Sequence, residues 1–470
     1  PDLETAERYI KKNNFFWNVL TLIIFMVNIY IIKTYLLEDM SCAYLVCANF
    51  IFVLWRIWRV RGLSSYMLFM TTFSFLFIGG HFWGVLFNPQ LSLRVGSFLD
   101  SQPTSNSEWR ETLIYLILFL YMTLLGYLYI YSRNGNRVDM QKGLLEQATF
   151  PSKRFNQALT VIWVFLSSLV FFTDAMTLLT VLRGGYDELY MAQGDTYSAS
   201  SIVLVFEYFF FAMAMVYGNV RNRRLYIILF VVDGLFKILG GGRGAFGSIL
   251  MFFIWYYSLN HKVNLRKLAI GGTIALTILL VLSSQSKRSV DSSNSFTTVN
   301  EVAALFFYAQ GESLATFEAS RGIKKYPWLC YVQSFVPGTS FLYYHLASDG
   351  HTLRNNDTSF SLYLSSCLNP ERFALGDGAG WTYMSDLYLF SGRTYLGFAL
   401  LALLSGIVIG WLEIKSLTNN LCKVVLFAIF LRLMILPRTG LNYIIPLIAY
   451  ILVLFGIFKQ IYNLKVRNLV

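Results

Sequence analysis

An arginine among glycines is the sharpest chemical signal in this sequence of 470 residues. In the middle of an apolar stretch the chain reads Gly240-Gly241-Gly242-Arg243-Gly244. A helix that begins here presents unpaired backbone N–H groups and a partial positive charge, and the glycines let a ligand come close to the backbone. The guanidinium of Arg243 can bind two phosphate oxygens at once. The run therefore predicts a diphosphate site; a tight interhelical turn whose arginine contacts lipid headgroups is the alternative.

A second arginine opens a loop with the same kind of chemistry. Arg183 is followed by two glycines and, after ten intervening residues, by Gly194. Glycines beside an arginine permit a turn that directs the guanidinium toward the membrane surface. Tyr186 and Tyr190 can stack on sugar rings and offer their hydroxyls. The cluster predicts a second substrate-binding element, and an interfacial loop with aromatic anchors is the alternative.

Polar and charged side chains return in the segment 285–393. They suit a ligand rich in hydroxyl groups, because carboxylates bind hydroxyls, aromatic rings cover sugar faces, and one carboxylate or histidine can act as general base. A structural role is the alternative for each of them taken singly. Cys330 and Cys367 lie in the same segment, and a disulfide between them is predicted because the segment is expected to face outward. The charged and histidine residues are Arg288, Arg321, Arg354, Arg372, His345, His351, Glu312, Asp357, Asp377 and Asp386.

The composition places these residues in a membrane protein. Hydrophobic residues make up 56% of the chain and charged residues only 14%, and the mean hydropathy is +0.53. A soluble domain usually carries about 25% charged residues, so a surface this poor in charge excludes a soluble globular protein. The five cysteines form no Cys-x-x-Cys pair, and the four histidines are scattered. The sequence therefore predicts neither a metal site nor a bound cofactor.

Apolar runs near the length that crosses a bilayer give the architecture. The interpretation is an all-α polytopic integral membrane protein with about twelve transmembrane helices. We expect helices 1–9 within residues 1–284, with a smaller outward loop at 182–199, then a large outward loop at 285–393, and helices 10–12 within 394–470. The twelve runs lie near 15–36, 42–58, 64–88, 112–131, 158–181, 200–218, 224–239, 244–260, 268–284, 394–412, 423–437 and 441–458.

The net charge of +12 agrees with this topology. With a cytoplasmic N-terminus, most lysines and arginines fall in the inward segments, whereas the outward segments are slightly acidic. This is the positive-inside pattern of a chain with an even number of spans and both termini in the cytoplasm. The basic charge is therefore attributed to topology and membrane lipid and not to nucleic-acid binding.

Charged groups inside the predicted spans are costly, by about 2.5 kcal/mol or more each, and so indicate a partner or a function. Asp233 and Lys237 stand about one helical turn apart and predict a mutual ion pair. Arg432, in the eleventh run, has no partner nearby in the sequence.

Taken together, these features resemble the Wzy-type bacterial O-antigen polymerases, which join oligosaccharide repeat units. The likeness covers most of the chain, in architecture more than in sequence. Relatives often carry glutamate where this chain has Asp386. The shared features are the many-span layout, the glycine-rich turn at Arg243 and Gly244, the spacing from Arg183 to Gly194, the long late outward loop, and the segment Ser385-Asp386-Leu387-Tyr388 before the next span.

The resemblance implies a GT-C-type glycosyltransferase of the bacterial inner membrane that works without a metal ion and has a periplasmic active site. Its substrate would be an oligosaccharide repeat unit linked to undecaprenyl diphosphate. The O-antigen chain-length regulator and the flippase would be its partners. The resemblance also implies that the large outward loop at 285–393 lies in the periplasm.

The resemblance also implies roles for individual residues. Arg243 and Arg183 would stabilise the leaving diphosphate, with Arg288 and Arg354 in support. The proton of the acceptor hydroxyl would pass to a general base, for which the candidates in order are Asp386, His345 and Glu312. The rest of the expected substrate-binding set is Arg321, Tyr186, Tyr190, Gly242 and Gly244.

Three other classes stay open. An O-antigen ligase would use the same donor but a lipid A-core acceptor. A lipid-linked oligosaccharide flippase would have a similar number of spans, with polar residues lining a central cavity. A non-catalytic scaffold would tolerate the loss of Arg243.

Overall fold

A computed structural model of the chain describes residues 3–35, 37–94, 104–134, 153–184, 198–218, 220–239, 243–259, 261, 263–264, 266, 270–273, 299–339, 342, 355–374 and 378–467. Every regular element in these ranges is helical, which confirms the all-α prediction. The α-helices in chain order are α1 (Leu3–Thr34), α2 (Asp39–Arg61), α3 (Tyr66–Phe77), α4 (Gly80–Phe87), α5 (Asn106–Asn134), α6 (Lys153–Gly184), α7 (Ser198–Tyr217), α8 (Val220–Leu239), α9 (Arg243–Ser258), α10 (Val299–Gln310), α11 (Glu312–Gly322), α12 (Trp328–Gln333), α13 (Phe360–Leu368), α14 (Pro370–Ala374), α15 (Tyr383–Phe390), α16 (Tyr395–Lys415), α17 (Asn420–Met434) and α18 (Ile445–Arg467). Short 3₁₀ turns lie at Gly62–Ser64, Asn355–Thr358, Leu436–Arg438 and Leu441–Tyr443.

Six of the described helices are long and apolar enough to cross a bilayer, which confirms a polytopic membrane protein. Helices α3 and α4 would add a seventh span if the bent pair is counted as a single crossing of the bilayer. Two further apolar helices, at Val203–Tyr217 and Gly247–Ser258, are shorter. The total of twelve stays a prediction, and most of its ninth run, 268–284, lies outside the described residues. The six spans are Phe16–Thr34, Asp39–Ser64, Asn106–Arg133, Gln157–Leu179, Tyr395–Lys415 and Leu441–Gln460.

The third predicted span is broken in two. Helices α3 and α4 are bent by 56° relative to each other, at a break next to Gly79 and Gly80. Paired glycines favour such a break because they weaken the helix and leave room for a neighbouring backbone. The start of α3 is fixed by Ser65, whose hydroxyl accepts from the N–H of Leu68 and lies 2.7 Å from the hydroxyl of Tyr127.

The described part of the segment 285–393 folds into the short helices α10 to α15, none of which is long enough to span a bilayer. Their lengths of five to twelve residues agree with a segment that is structured but not membrane-spanning. Whether this segment faces the periplasm stays a prediction.

The chain divides into two compact units. The first unit comprises residues 1–138, 298–324 and 381–411. Two of its long helices, α5 and α16, meet at glycines: a methyl group on Gly126 would overlap the carbonyl oxygen of Leu403, and one on Gly406 would overlap that of Thr123. This backbone contact is typical of helices that pack through small residues in membranes.

The second unit comprises residues 139–297, 325–380 and 412–470. Within it α6 and α8 run parallel, because Thr160 contacts Tyr226 near their starts and Phe171 contacts Phe236 further along. Helix α7 packs beside α6, where its Phe211 lies near Trp163.

Large aromatic side chains fill the core of the second unit. Phe211 stacks on Phe230, with ring centroids 4.5 Å apart, and both lie near Phe252 on α9. Trp255 then packs on Phe430 of α17 at 4.7 Å. Aromatic rings bury large apolar areas, so this cluster fixes how α7, α8, α9 and α17 pack together.

Candidate functional site

The structure describes the predicted site residues to different extents. Side chains are described for Glu312, Arg321 and Asp386, all of them in the first unit. For Arg183, Arg243 and Gly244 only the helical backbone is described. The remaining six lie outside the described residues: Gly242, Arg288, His345, Arg354, Tyr186 and Tyr190.

Arg183 and Arg243 stand at helix ends in the second unit. Arg183 is the penultimate residue of α6, and Arg243 is the first residue of α9. Helix α9 folds back against α8, because a methyl group on Gly234 would press on the side chain of Ile249. Since α6 and α8 run parallel, the end of α6 and the start of α9 face the same way. The two arginine positions therefore share one end of this bundle.

Their heights along the bundle differ. Helix α6 continues for twelve residues from Phe171 to Arg183, about 18 Å of helix. Helix α8 continues for only three residues from Phe236 to its end, about 4.5 Å. The backbone of Arg183 therefore stands roughly 13 Å further along the axis than Leu239, the last residue of α8.

Arg321 is held by groups of the protein itself. Its guanidinium donates to the hydroxyl of Thr112 over 2.7 Å and to the carbonyl of Glu108 over 3.1 Å, and it pairs with the carboxylate of Glu111. The rings of Tyr115, Phe317 and Tyr388 lie 5.5 to 5.9 Å from its central carbon. These contacts fasten the end of α11 to α5, and the substrate-binding role expected of Arg321 stays a prediction.

Glu318 lies one turn before Arg321 on α11. Its Oε2 accepts a hydrogen bond of 3.1 Å from the hydroxyl of Thr104. Burial raises the pKa of Glu318 to about 7, and the hydroxyls of Thr112 and Thr104 and the charge of Arg321 oppose this shift only in part. The carboxyl group therefore titrates near neutral pH, a property common among groups that transfer protons and also found in structural networks.

Asp386 is buried in the first turn of α15. Its side chain is 1% exposed, and Oδ1 accepts a hydrogen bond of 2.8 Å from the indole N–H of Trp381. The adjacent Ser385 hydroxyl lies 2.7 Å from that of Ser320 on α11. Asp386 thus ties the entry of α15 to the core, and in this structure its carboxylate is shielded from an incoming sugar hydroxyl.

Glu312 occupies the first turn of α11 and is accessible. Its side chain is 37% exposed, and Oε1 lies 3.9 Å from Nε2 of His81, whose side chain is only 3% exposed. The imidazole of His81 stacks on Tyr308 with ring centroids 4.3 Å apart and 22° between planes. A carboxylate backed by a buried imidazole and open on its other side can accept a proton from a bound hydroxyl.

Close backbone packing holds this pair of residues together. Helix α4 lies on α10, and Gly80 and Gly311 leave no room for side chains between them: a methyl group on Gly80 would come within 2.7 Å of the Gly311 nitrogen. A methyl group on Gly84 would come within 2.9 Å of Cβ of Tyr308. The break between α3 and α4 therefore brings His81 to the start of α11.

Arg432 has aromatic neighbours in the second unit. Its central carbon lies 5.4 Å from the ring of Tyr208 and 5.6 Å from that of Tyr443. It is also the one position from Lys423 to Met434 of α17 that is not buried. Cation–π contacts thus supply the partners that the sequence alone did not reveal.

The predicted disulfide is absent from the described residues, where both thiols are free. Buried Cys330 donates instead to the carbonyl oxygen of Asp357 over 3.2 Å, and Cys367 is exposed. In the same described ranges, no three histidine, cysteine, aspartate or glutamate residues come close enough to hold a metal ion.

Two residues of this region were missed by sequence reasoning. Nothing in the sequence around Glu318 marked it, because the threonines that contact it lie in α5 or just before it, which is remote in sequence. His81 did give one: it follows Gly79 and Gly80 inside an apolar run, where an ionisable residue is costly.

Comparisons with known proteins identify the family. No curated protein and no solved structure matches the chain. The family model for the O-antigen polysaccharide polymerase Wzy matches residues 14–464, nearly the whole chain. The many apolar helices agree with such a membrane protein. The chain therefore belongs to the family of O-antigen polysaccharide polymerases, Wzy.

Proposed function

We propose that this protein transfers a growing O-antigen glycan from its undecaprenyl diphosphate carrier to the sugar end of a new repeat unit that is itself linked to undecaprenyl diphosphate. The reaction takes place at the periplasmic face of the bacterial inner membrane, with both termini of the chain in the cytoplasm. The observation that carries this proposal is the match of the polymerase family model to residues 14–464.

The transfer has two chemical requirements. The bond from the anomeric carbon of the donor glycan to the diphosphate oxygen breaks, and that carbon bonds to an acceptor hydroxyl oxygen. Negative charge therefore develops on the departing undecaprenyl diphosphate, and the hydroxyl proton must pass to a base. The protein has to supply cationic or N–H groups for the first and a carboxylate or imidazole for the second.

Arg243 and Arg183 are proposed to hold the diphosphate. A helix start and a guanidinium both favour phosphate oxygens, and Arg243 combines the two. The parallel packing of α6 and α8 supports the pairing, because it puts both backbone positions at one end of the second unit. Arg288 and Arg354 are proposed as further phosphate contacts, and Tyr186 and Tyr190 as glycan contacts.

Glu312 is proposed as the general base. Of the two candidates with described side chains, Asp386 is buried against Trp381, whereas Glu312 is 37% exposed. A base must come within hydrogen-bond reach of the hydroxyl that it deprotonates, so exposure favours Glu312. His345 stays a candidate.

The test is to give purified protein a defined undecaprenyl-diphosphate-linked repeat unit, with or without lipid A-core, and with or without a chelator. The proposal expects the lipid-linked unit to lengthen into a ladder of products, unaffected by chelator. Lengthening only of the lipid A-core conjugate would identify a ligase. Transport of the unit without any new glycosidic bond would identify a flippase. Addition of the chain-length regulator should change the product lengths and not the linkage.

A further inference from the structure

Glu312 has a buried neighbour that the proposed chemistry does not yet use. Nε2 of His81 lies 3.9 Å from Oε1 of Glu312, and it is buried without a hydrogen-bond partner in the described part of the chain. An imidazole that is 3% exposed cannot touch a sugar, whereas the carboxylate can. Any role of His81 in glycan transfer must therefore act through Glu312.

The surroundings of His81 restrict how its ring can move. Tyr308 stacks on one side of the imidazole, and the backbone of Gly311 lies against the backbone of His81. Tyr308 is itself tied down, because its hydroxyl donates to the carbonyl of Ser92 over 2.7 Å. A ring held in this way can direct an N–H group at a fixed point.

Among the described residues, the other ionisable groups near the pair are either paired with another group or uncharged. Burial raises the pKa of Tyr308 to about 12, and the carboxylates of Glu312 and Asp39 add to this shift, so the phenol stays protonated. On α2, Asp39 pairs with Arg94 at 3.6 Å, and Cys42 is a buried thiol. Glu312 is thus the carboxylate that faces His81 from α11, where the helix N-terminus also favours negative charge.

We infer that His81 is a positioning residue for glycan transfer, whose Nε2–H holds Oε1 of Glu312 and leaves Oε2 free to take the proton of the acceptor hydroxyl. This inference rests on the proposed role of Glu312. The 3.9 Å separation shortens to a hydrogen bond when a sugar fills the site, as catalytic contacts in unliganded structures commonly do. The hydroxyl proton ends on Glu312, the hydroxyl oxygen bonds to the anomeric carbon, and undecaprenyl diphosphate leaves.

The kinetic test uses His81→Phe, which keeps a ring against Tyr308 and removes the donor. We expect kcat to fall by about 10- to 100-fold with KM changed by less than about twofold, because only orientation in the transition state is lost. The acid limb of the pH–rate profile should move to higher pH, because the ionised carboxylate loses a hydrogen bond that its protonated form does not need. His81→Gln, which carries an N–H donor near the Nε2 position, should recover most of the rate.

A matched control is available in His261, which stacks on Tyr257 with centroids 4.5 Å apart but is exposed. His261→Phe should leave the rate and the pH profile as in wild type. An unchanged pH profile in His81→Phe, or a loss of rate that His81→Gln does not repair, would overturn the inference.

A spectroscopic arm separates this inference from the proposed function. The protein is labelled with ¹⁵N-histidine, and the Nε2 resonance of His81 is identified by its loss in His81→Phe. With the lipid-linked unit bound, this resonance should have a different chemical shift in Glu312→Gln than in wild type. An identical resonance in both proteins would reject the contact whether or not the protein polymerises. If wild type binds the unit but never lengthens it, the proposed function fails. If wild type polymerises and Glu312→Gln is as active as wild type, the proposed role of Glu312 as base fails and this inference with it, whereas the polymerase activity itself stands.

Discussion

The indole N–H of Trp381 donates to Oδ1 of Asp386 over 2.8 Å, and both side chains are buried. We predict that Asp386→Asn, which keeps the accepting oxygen, retains both thermal stability and polymer length. Asp386→Ala should instead destabilise the protein by about 1–3 kcal/mol, because the Trp381 N–H loses its acceptor in the core. Thermal unfolding in detergent and gel sizing of the polysaccharide check the two variants. Loss of polymer in a normally stable Asp386→Asn would make Asp386 the general base.

Close packing at Gly311 gives a second prediction. A methyl group there would overlap the backbone of His81 and come within 2.9 Å of the carbonyl carbon of Gly80. We expect Gly311→Ala to cost about 2 kcal/mol or more, since neither backbone can move freely. The control is Gly322 at the end of α11, where a methyl group meets no atom within 4 Å. Equal melting temperatures for Gly311→Ala and Gly322→Ala would contradict the close packing of the start of α4 against Gly311.

Glu318 makes stability depend on pH. Burial raises the pKa of Glu318 from its ordinary value of 4.5 to about 7, so the folded protein binds this proton more tightly than the unfolded chain. The resulting stability is complete below pH 4.5 and falls as pH rises to about 7, above which it is lost. The loss is at most ~3 kcal/mol.

Glu318→Gln removes this titration, because an amide does not ionise. We expect its melting temperature to exceed that of wild type at pH 8 and to approach the wild-type value at pH 5. Melting curves over this pH range in the same detergent provide the measurement. A constant difference between the two proteins at every pH would show that Glu318 does not titrate in this window.

Arg183→Lys tests whether the arginine acts through geometry or charge alone. A lysine keeps the charge but cannot bind two phosphate oxygens in one plane. We predict a partial defect, of roughly 10-fold in turnover, with normal insertion into the membrane. Turnover of the purified variant on a defined lipid-linked unit gives the answer, and a wild-type rate would remove Arg183 from the diphosphate site.

Much of the fold could be predicted from sequence, because apolar runs in a bilayer must form helices. The run at 158–181 is found within α6, and the run at 394–412 coincides with α16 from its second residue onward. The break between α3 and α4 was not predicted, because mean hydropathy over 64–88 stays high across Gly79 and Gly80. Only contact with α10, which is remote in sequence, shows why a straight helix is not formed there.

The candidate site was predictable in residue type but not in environment. Asp386 and Glu312 are both carboxylates in the same late segment, and only the fold shows that Trp381 covers one and that the other is exposed. Arg321 was expected to bind substrate, but three aromatic rings and groups on α5 already surround its guanidinium. Such neighbours come from distant parts of the chain, so spacing in the sequence does not reveal them.

The central claim is that Arg243 stabilises a departing diphosphate during glycan polymerisation. The most direct measurement incubates wild type and Arg243→Ala, purified in the same detergent, with a defined undecaprenyl-diphosphate-linked repeat unit and sizes the products. The account predicts a ladder of lengthened, lipid-linked glycans from wild type and almost none from Arg243→Ala, with equal melting temperatures. A full ladder from Arg243→Ala would contradict it. Wild type that binds the unit but does not lengthen it would contradict it as well.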